Sequence, residues 1–150
     1  MKVIFLDFNG VLDTWFDMDN VNYDNLQRLK WIVDETDAKV VISSSIKRNY
    51  VRTGVMGGIL LKLVNRLLDE GIDVIGVTPN AETREYEIMM YLHDHPEIDN
   101  YVILDDDYDM ERLSEHLVKL PPQSIGQNQL GLQKHYAEAA IAILKKDFNR

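Results

Sequence analysis

The chain has 150 residues, 45% of them apolar, and a formal net charge of −9 at neutral pH. That length fits one domain with a sizeable core, and the acidic balance argues against broad attraction to nucleic acid or anionic membrane. It contains no cysteine, which excludes disulfides, thiolate metal sites and a cysteine nucleophile, and suits a reducing compartment.

Residues 2–6 form a short apolar run that stops at Asp7 and turns at Gly10. Its length and β-branched content predict a buried parallel strand. An apolar stretch this short, broken by Asp7, does not read as a secretory leader. Trp15 and Phe16 follow in a flap, where packing is the first expectation and lining the entrance to a site the second. Residues 23–35 place Leu26, Leu29, Ile32 and Val33 on one helical face, with Asn22 as the cap.

A second strand, Val40-Val41-Ile42, opens at Lys39 and runs into Ser43-Ser44-Ser45. The basic group beyond it, Lys47, Arg48 and Arg52, reads as a solvated helix face and as the place where a polyanionic substrate would touch. Residues 59–70 form a helix ended by Gly71, residues 72–77 a third strand, and residues 83–93 another helix. His93 and His95 flank Asp94 at its end and read as solvated residues, because no further ligand cluster lies nearby. Tyr101-Val102-Ile103-Leu104 runs into Asp105-Asp106-Asp107, and residues 116–120 form a fifth short strand stopped by Pro121-Pro122. A polar loop over residues 121–132 precedes a last helix over residues 133–146. No stretch reaches membrane-spanning length, and the expected location is cytoplasmic.

Strands alternating with helices predict a single α/β domain over residues 1–150, a doubly wound, Rossmann-like parallel sheet with right-handed crossovers. Two strands end in acids, at Asp7 and at Asp105, and the carboxyl edge of such a sheet is where chemistry sits. Two acidic strand ends suggest a shared anionic pocket, which calls for a cation.

Four motifs in this order resemble those of the haloacid dehalogenase (HAD) superfamily. Asp7-Phe8-Asn9-Gly10-Val11-Leu12 is similar to its first motif, usually Asp-x-Asp-Gly-Thr/Val-Leu. Ser43-Ser44-Ser45 stands where the second has Ser or Thr, Arg84 is the best match to the third, with Lys47 as competitor, and Asp105-Asp106-Asp107 with Asp109 resembles the fourth. Together they cover roughly residues 1–110. The acidic phrase and the serine run further resemble small HAD domains associated with RNA-repair proteins.

The resemblance implies a Mg²⁺-dependent phosphohydrolase in which Asp7 attacks phosphorus and forms an aspartyl-phosphate. Asp7, the carbonyl of Asn9, Asp105 and Asp106 would hold Mg²⁺. Ser43, Ser44 and Lys47 would contact the phosphoryl group, and Arg84 would hold the nucleophile and the transferring charge. Asp107 and Asp109 read as a solvated turn rather than as ligands. The family inserts cap domains between these motifs, but residues 13–38 hold only a flap and one helix. A minimal or absent cap favours a macromolecular or terminal phosphate, first a polynucleotide end by resemblance, with a phosphoprotein or a sugar phosphate as the alternatives.

Position 9 departs from the pattern. The family's Asp there protonates the leaving group, and an amide cannot move a proton near neutral pH. Three explanations stay open: an enzyme for good leaving groups, a catalytically silent phosphate-binding or protein-interaction module, and an engineered Asp-to-Asn change. A response-regulator receiver domain also combines acids, a Ser or Thr and a Lys, but its acceptor should end the third strand, where this chain has Thr78 and Pro79.

Overall fold

Val3, Ile4, Phe5 and Leu6 have no exposed surface, because β1 (Lys2–Leu6) is the central strand of a five-stranded sheet. In this computed structural model, which describes residues 1–17 and 19–148, β1 lies between β2 (Lys39–Ile42) and β4 (Asn100–Asp105). The edges are β3 (Val74–Val77) and β5 (Leu117–Lys119), and every pairing is parallel. The order β3-β2-β1-β4-β5 is the Rossmann arrangement, not the flavodoxin-like 2-1-3-4-5 order that a receiver domain requires.

Successive strand residues point to opposite faces, and both faces are covered. Ile4, Leu6, Val40, Ile42, Val102 and Leu104 meet α1 (Tyr23–Thr36), α3 (Gly58–Asp69) and α5 (Lys134–Lys145). Val3, Phe5, Val41 and Ile103 meet Ile88 and Tyr91 of α4 (Arg84–Asp94). Burial on both sides is why the strands read as unbroken apolar runs. No cap domain is inserted among the described residues: between β1 and α1 lies only a flap. No helix among them is long and apolar enough to cross a membrane.

The helix starts follow the capping chemistry. The Asn22 side chain accepts from the Asn25 backbone N–H at 3.0 Å, and Thr83 does the same for Tyr86 at 3.1 Å, which begins α4 one residue later than the periodicity suggests. The third strand begins at Val74 rather than Ile72, since Ile72 closes the preceding helix by donating to the Leu67 carbonyl at 3.0 Å. A short helix, α2 (Arg48–Thr53), follows a turn of 3₁₀ helix over Ser45–Lys47, and another 3₁₀ stretch, Gln123–Asn128, organises the loop expected after the fifth strand.

One buried amide ties together the two segments that wall the carboxyl edge. Asn25 Nδ2 donates to the Leu130 carbonyl at 3.1 Å and to the Asp13 carbonyl at 3.4 Å, joining the late loop to the flap. Gly131, at φ +70°, permits this approach, because a Cβ there would lie 2.4 Å from both Asn25 Nδ2 and the Asp13 carbonyl oxygen. Asn25→Ala removes both donations, one of them to the buried Asp13 carbonyl, and is expected to lower unfolding free energy by about 1–3 kcal/mol. Urea unfolding measures it, and an unchanged midpoint would remove this tie from the account.

Candidate active site

Adjacency of β1 and β4, in register at Leu6 and Leu104, sets Asp7 beside Asp105. The Asp7 backbone N–H continues the ladder to the Leu104 carbonyl at 3.1 Å. Carboxylate oxygens of Asp7, Asp105 and Asp106 all lie within 4.8 Å of one another, and all three residues are buried. Asp106 reaches this position by packing on bare backbone: a Cβ on Gly10 would stand 1.9 Å from Asp106 Oδ2, and Gly10 itself sits at φ +80°. Only glycine satisfies both demands.

Arg84, at the start of α4 and 5% exposed, faces the cluster. Its Nη1 lies 3.3 Å from Asp105 Oδ2 and 3.7 Å from Asp7 Oδ1, and donates to the Ser43 carbonyl. Its Nε is 3.4 Å from Glu87 Oε1, and its guanidinium stands 5.0 Å over the Tyr108 ring. Glu87 is in turn held by Lys47, whose ammonium is 3.0 Å from Glu87 Oε2 and donates to the Pro79 carbonyl and to Asn80 Oδ1, both at 2.9 Å. Lys47 is fully buried, and these three acceptors use its three protons. Lys47 thus braces the Glu87–Arg84 pair from behind.

Lys47 and Glu87 balance each other, so the cluster sets three carboxylates against the single guanidinium of Arg84. Burial pushes the Asp7 carboxyl well above the usual range; the Asp105 charge adds to the rise and Arg84 opposes it. Burial also raises Asp105, and together with the Asp105 charge it lifts Asp106 to about 6. Ionising all three would leave two negative charges without compensation. Oxygen-only donors with that excess fit a hard divalent cation, and Asp7, Asp105 and Asp106 are the residues that would hold it.

The serines divide. Ser43, 1% exposed, has a buried hydroxyl with no hydrogen-bond partner, as does Thr78 at the end of the neighbouring strand. Ser44 is equally buried and caps the 3₁₀ turn, its Oγ accepting from the Ile46 N–H at 3.5 Å. Ser45 instead lines a cavity of about 280 Å³ with Asp7, Asn9, Arg84, Asp106 and Tyr108, to which Pro122, Gln123 and Ser124 of the late loop also contribute.

Asn9 turns its amide towards the flap, donating from Nδ2 to Asp13 Oδ2 at 2.9 Å and to Asp19 Oδ1 at 2.7 Å. Asp13, whose pKa burial raises, also accepts from the Gly10 N–H at 2.6 Å. Trp15 and Phe16 are 51% and 67% exposed, so neither is packed as expected. Asp109 pairs with Lys119 at 2.8 Å, His93 is exposed at the helix end, and His95 stacks on Tyr91 with ring centroids 3.9 Å apart. Glu87 carries a visible signal in its i,i+3 spacing from Arg84, that of a helix ion pair. Among the residues that sequence reasoning passed over, Tyr108 and Gln123 had no signal, since only the fold brings them to the cavity, and neither had Asp19, which the flap brings to Asn9.

A family model described as the HAD domain in Swiss Army Knife RNA repair proteins matches residues 3–126, a span that holds every residue of the cavity. No curated protein and no solved structure gives a significant match.

The raised carboxyls make a signed prediction. A folded chain whose Asp106 titrates near 6 rather than 3.8 retains a proton that the unfolded chain has released. That stability is complete below 3.8 and is lost as pH rises through about 6. Without divalent ions, the chain is therefore expected to melt at a higher temperature at about pH 5 than at about pH 7.5. Added Mg²⁺ or Mn²⁺ should raise the higher-pH midpoint most. Melting curves that coincide at both pH values and ignore the cation would contradict the assignment.

Proposed function

This chain belongs to the family of HAD domains found in Swiss Army Knife RNA repair proteins, and from that premise we propose that it is a divalent-cation-dependent phosphohydrolase acting on the terminal phosphate of a nucleic-acid end. The observation that carries the proposal is the buried Asp7–Asp105–Asp106 cluster with Arg84 at its edge, opening into a cavity. A cation bound there, Mg²⁺ by preference, supplies charge neutralisation that lets a phosphate approach the acids.

The roles of the chain's own groups follow from their placement. An Asp7 carboxylate oxygen attacks phosphorus in line, a P–O bond forms, and the bond to the leaving oxygen breaks with its electron pair. Water then attacks the aspartyl-phosphate, restoring Asp7 and releasing inorganic phosphate. Arg84 holds Asp7 and meets the charge that develops on the phosphoryl oxygens. The unpartnered Ser43 hydroxyl supports a donor role towards the same group. The absence of an inserted cap among the described residues suits a substrate that extends beyond the site.

Asn9 sets the chemical limit. It cannot protonate the leaving oxygen, a deficit worth roughly 10²–10⁴ in rate, so the sugar oxygen of a nucleic-acid end leaves slowly and phosphates with better leaving groups turn over faster. Its amide is also the donor that two carboxylates need. That observation favours a second reading, a phosphate-binding module without turnover, in which the amide serves the flap.

Hydrolysis of acetyl phosphate and an alkyl phosphate, with Mg²⁺, separates the two. Under the enzyme reading, acetyl phosphate turns over and Asp7→Asn abolishes it. Asn9→Asp accelerates the alkyl phosphate by about tenfold or more, while its new carboxylate, facing Asp13 and Asp19, lowers the melting temperature. Turnover that survives Asp7→Asn, or no turnover in either the unsubstituted chain or Asn9→Asp, overturns the enzyme reading.

A further inference from the structure

A second cavity, of about 420 Å³, adjoins the first and is lined by Asn9, Asp13, Thr14, Trp15, Asp19 and Gln123. Asn9 and Gln123 belong to both, so they form the wall between them. The flap that carries Trp15 is fixed on several sides. The Trp15 N–H donates to the Gln129 carbonyl at 3.0 Å. Thr14 donates through both its N–H and its Oγ1 to Asp17 Oδ2, at 2.8 and 2.6 Å, and Thr14 Oγ1 accepts from the Phe16 N–H at 3.2 Å. A braced backbone thus holds a large aromatic ring half in solvent at the mouth of a cavity next to the acids.

The lining restricts what can enter. Asp13 is buried and already accepts from Gly10 and Asn9, which leaves the exposed Asp19 carboxylate as the acceptor facing a ligand, so a second phosphate or a carboxylate would be repelled, while a planar group bearing N–H donors would be held. Trp15 offers such a group a stacking face. We infer that this cavity is a nucleobase subsite, in which Trp15 stacks on the base of the nucleotide whose phosphate occupies the neighbouring cavity and Asp19 accepts from the base's exocyclic amine. This inference rests on the phosphohydrolase reading for its neighbouring phosphate and adds a substrate preference to it. Adenine, cytosine and guanine carry an exocyclic amine and uracil does not, so cytidine substrates are preferred over uridine ones.

Two readouts test it. The first is kcat/KM for cytidine and uridine monophosphates, each as the 3′ and the 5′ isomer, divided by that for acetyl phosphate, which has no base. Trp15→Ala is expected to lower the cytidine ratio roughly 5- to 150-fold, the range of base–aromatic stacking, and Trp15→Phe to restore most of it. Asp19→Asn should narrow the preference for cytidine over uridine. A cytidine ratio unchanged in Trp15→Ala overturns the subsite even where acetyl phosphate turns over normally.

The second readout needs no catalysis and keeps the variant's own folding out of the answer. With Trp31→Phe, Trp15 is the remaining indole, and cytidine monophosphate should quench its fluorescence saturably while inorganic phosphate alone does not. Quenching without turnover of any phosphate sinks the hydrolase and keeps the subsite. Equal response to inorganic phosphate, no response, or a response that follows protein concentration, as expected if a second copy covers the ring, sinks the subsite.

Discussion

Electrostatic crowding at the carboxyl edge of the sheet is the constraint on which the rest of this molecule depends. Three buried carboxylates crowd together and only two of them, Asp7 and Asp105, face a guanidinium, an arrangement that costs folding free energy unless protons or a cation relieve it. Much of the surrounding sequence serves that cluster. Gly10 gives Asp106 room to approach. Arg84 is aimed by Glu87, and Glu87 is held by a fully buried lysine. The sheet order makes β1 and β4 neighbours, which turns two acidic strand ends distant in sequence into a single site.

A second set of polar contacts runs beside the first and shapes the flap. Asn9 donates to Asp13 and Asp19, Asp13 accepts from Gly10, and Asn25 binds the flap to the late loop. Position 9 therefore lies at the junction of two demands. A carboxyl group would supply proton transfer to a leaving group, whereas the flap asks for an amide that can donate. This chain meets the second demand, and the resulting surface joins the cavity beside the acids to a pocket lined by Trp15.

Much of this was legible in the chain because it rests on local pattern. Apolar runs ending at Asp7 and Asp105 located the central strands, Asn22 and Thr83 marked helix starts, and four motifs in order identified the family that residues 3–126 match. What could not be read depends on long-range burial. Lys47 follows the serine run and invites a substrate-binding role, yet its surroundings are set by Glu87, Pro79 and Asn80, all more than thirty residues away. The serine triplet gives no hint of which hydroxyl is capped, which is unpartnered and which faces the cavity, since that follows from how the strand end turns. Trp15 looked like packing because a lone aromatic usually is. Its exposure follows from a flap braced by Thr14, Asp17 and Gln129.

The central claim is that the three carboxylates share one divalent ion, and calorimetric titration of Mn²⁺ at about pH 7.5 tests it most directly. The account predicts one ion bound per chain, with affinity falling at least about tenfold, or about 1.4 kcal/mol, in Asp105→Asn and in Asp106→Asn when both variants remain folded. No binding to the unsubstituted chain, or binding that both substitutions leave intact, would contradict it.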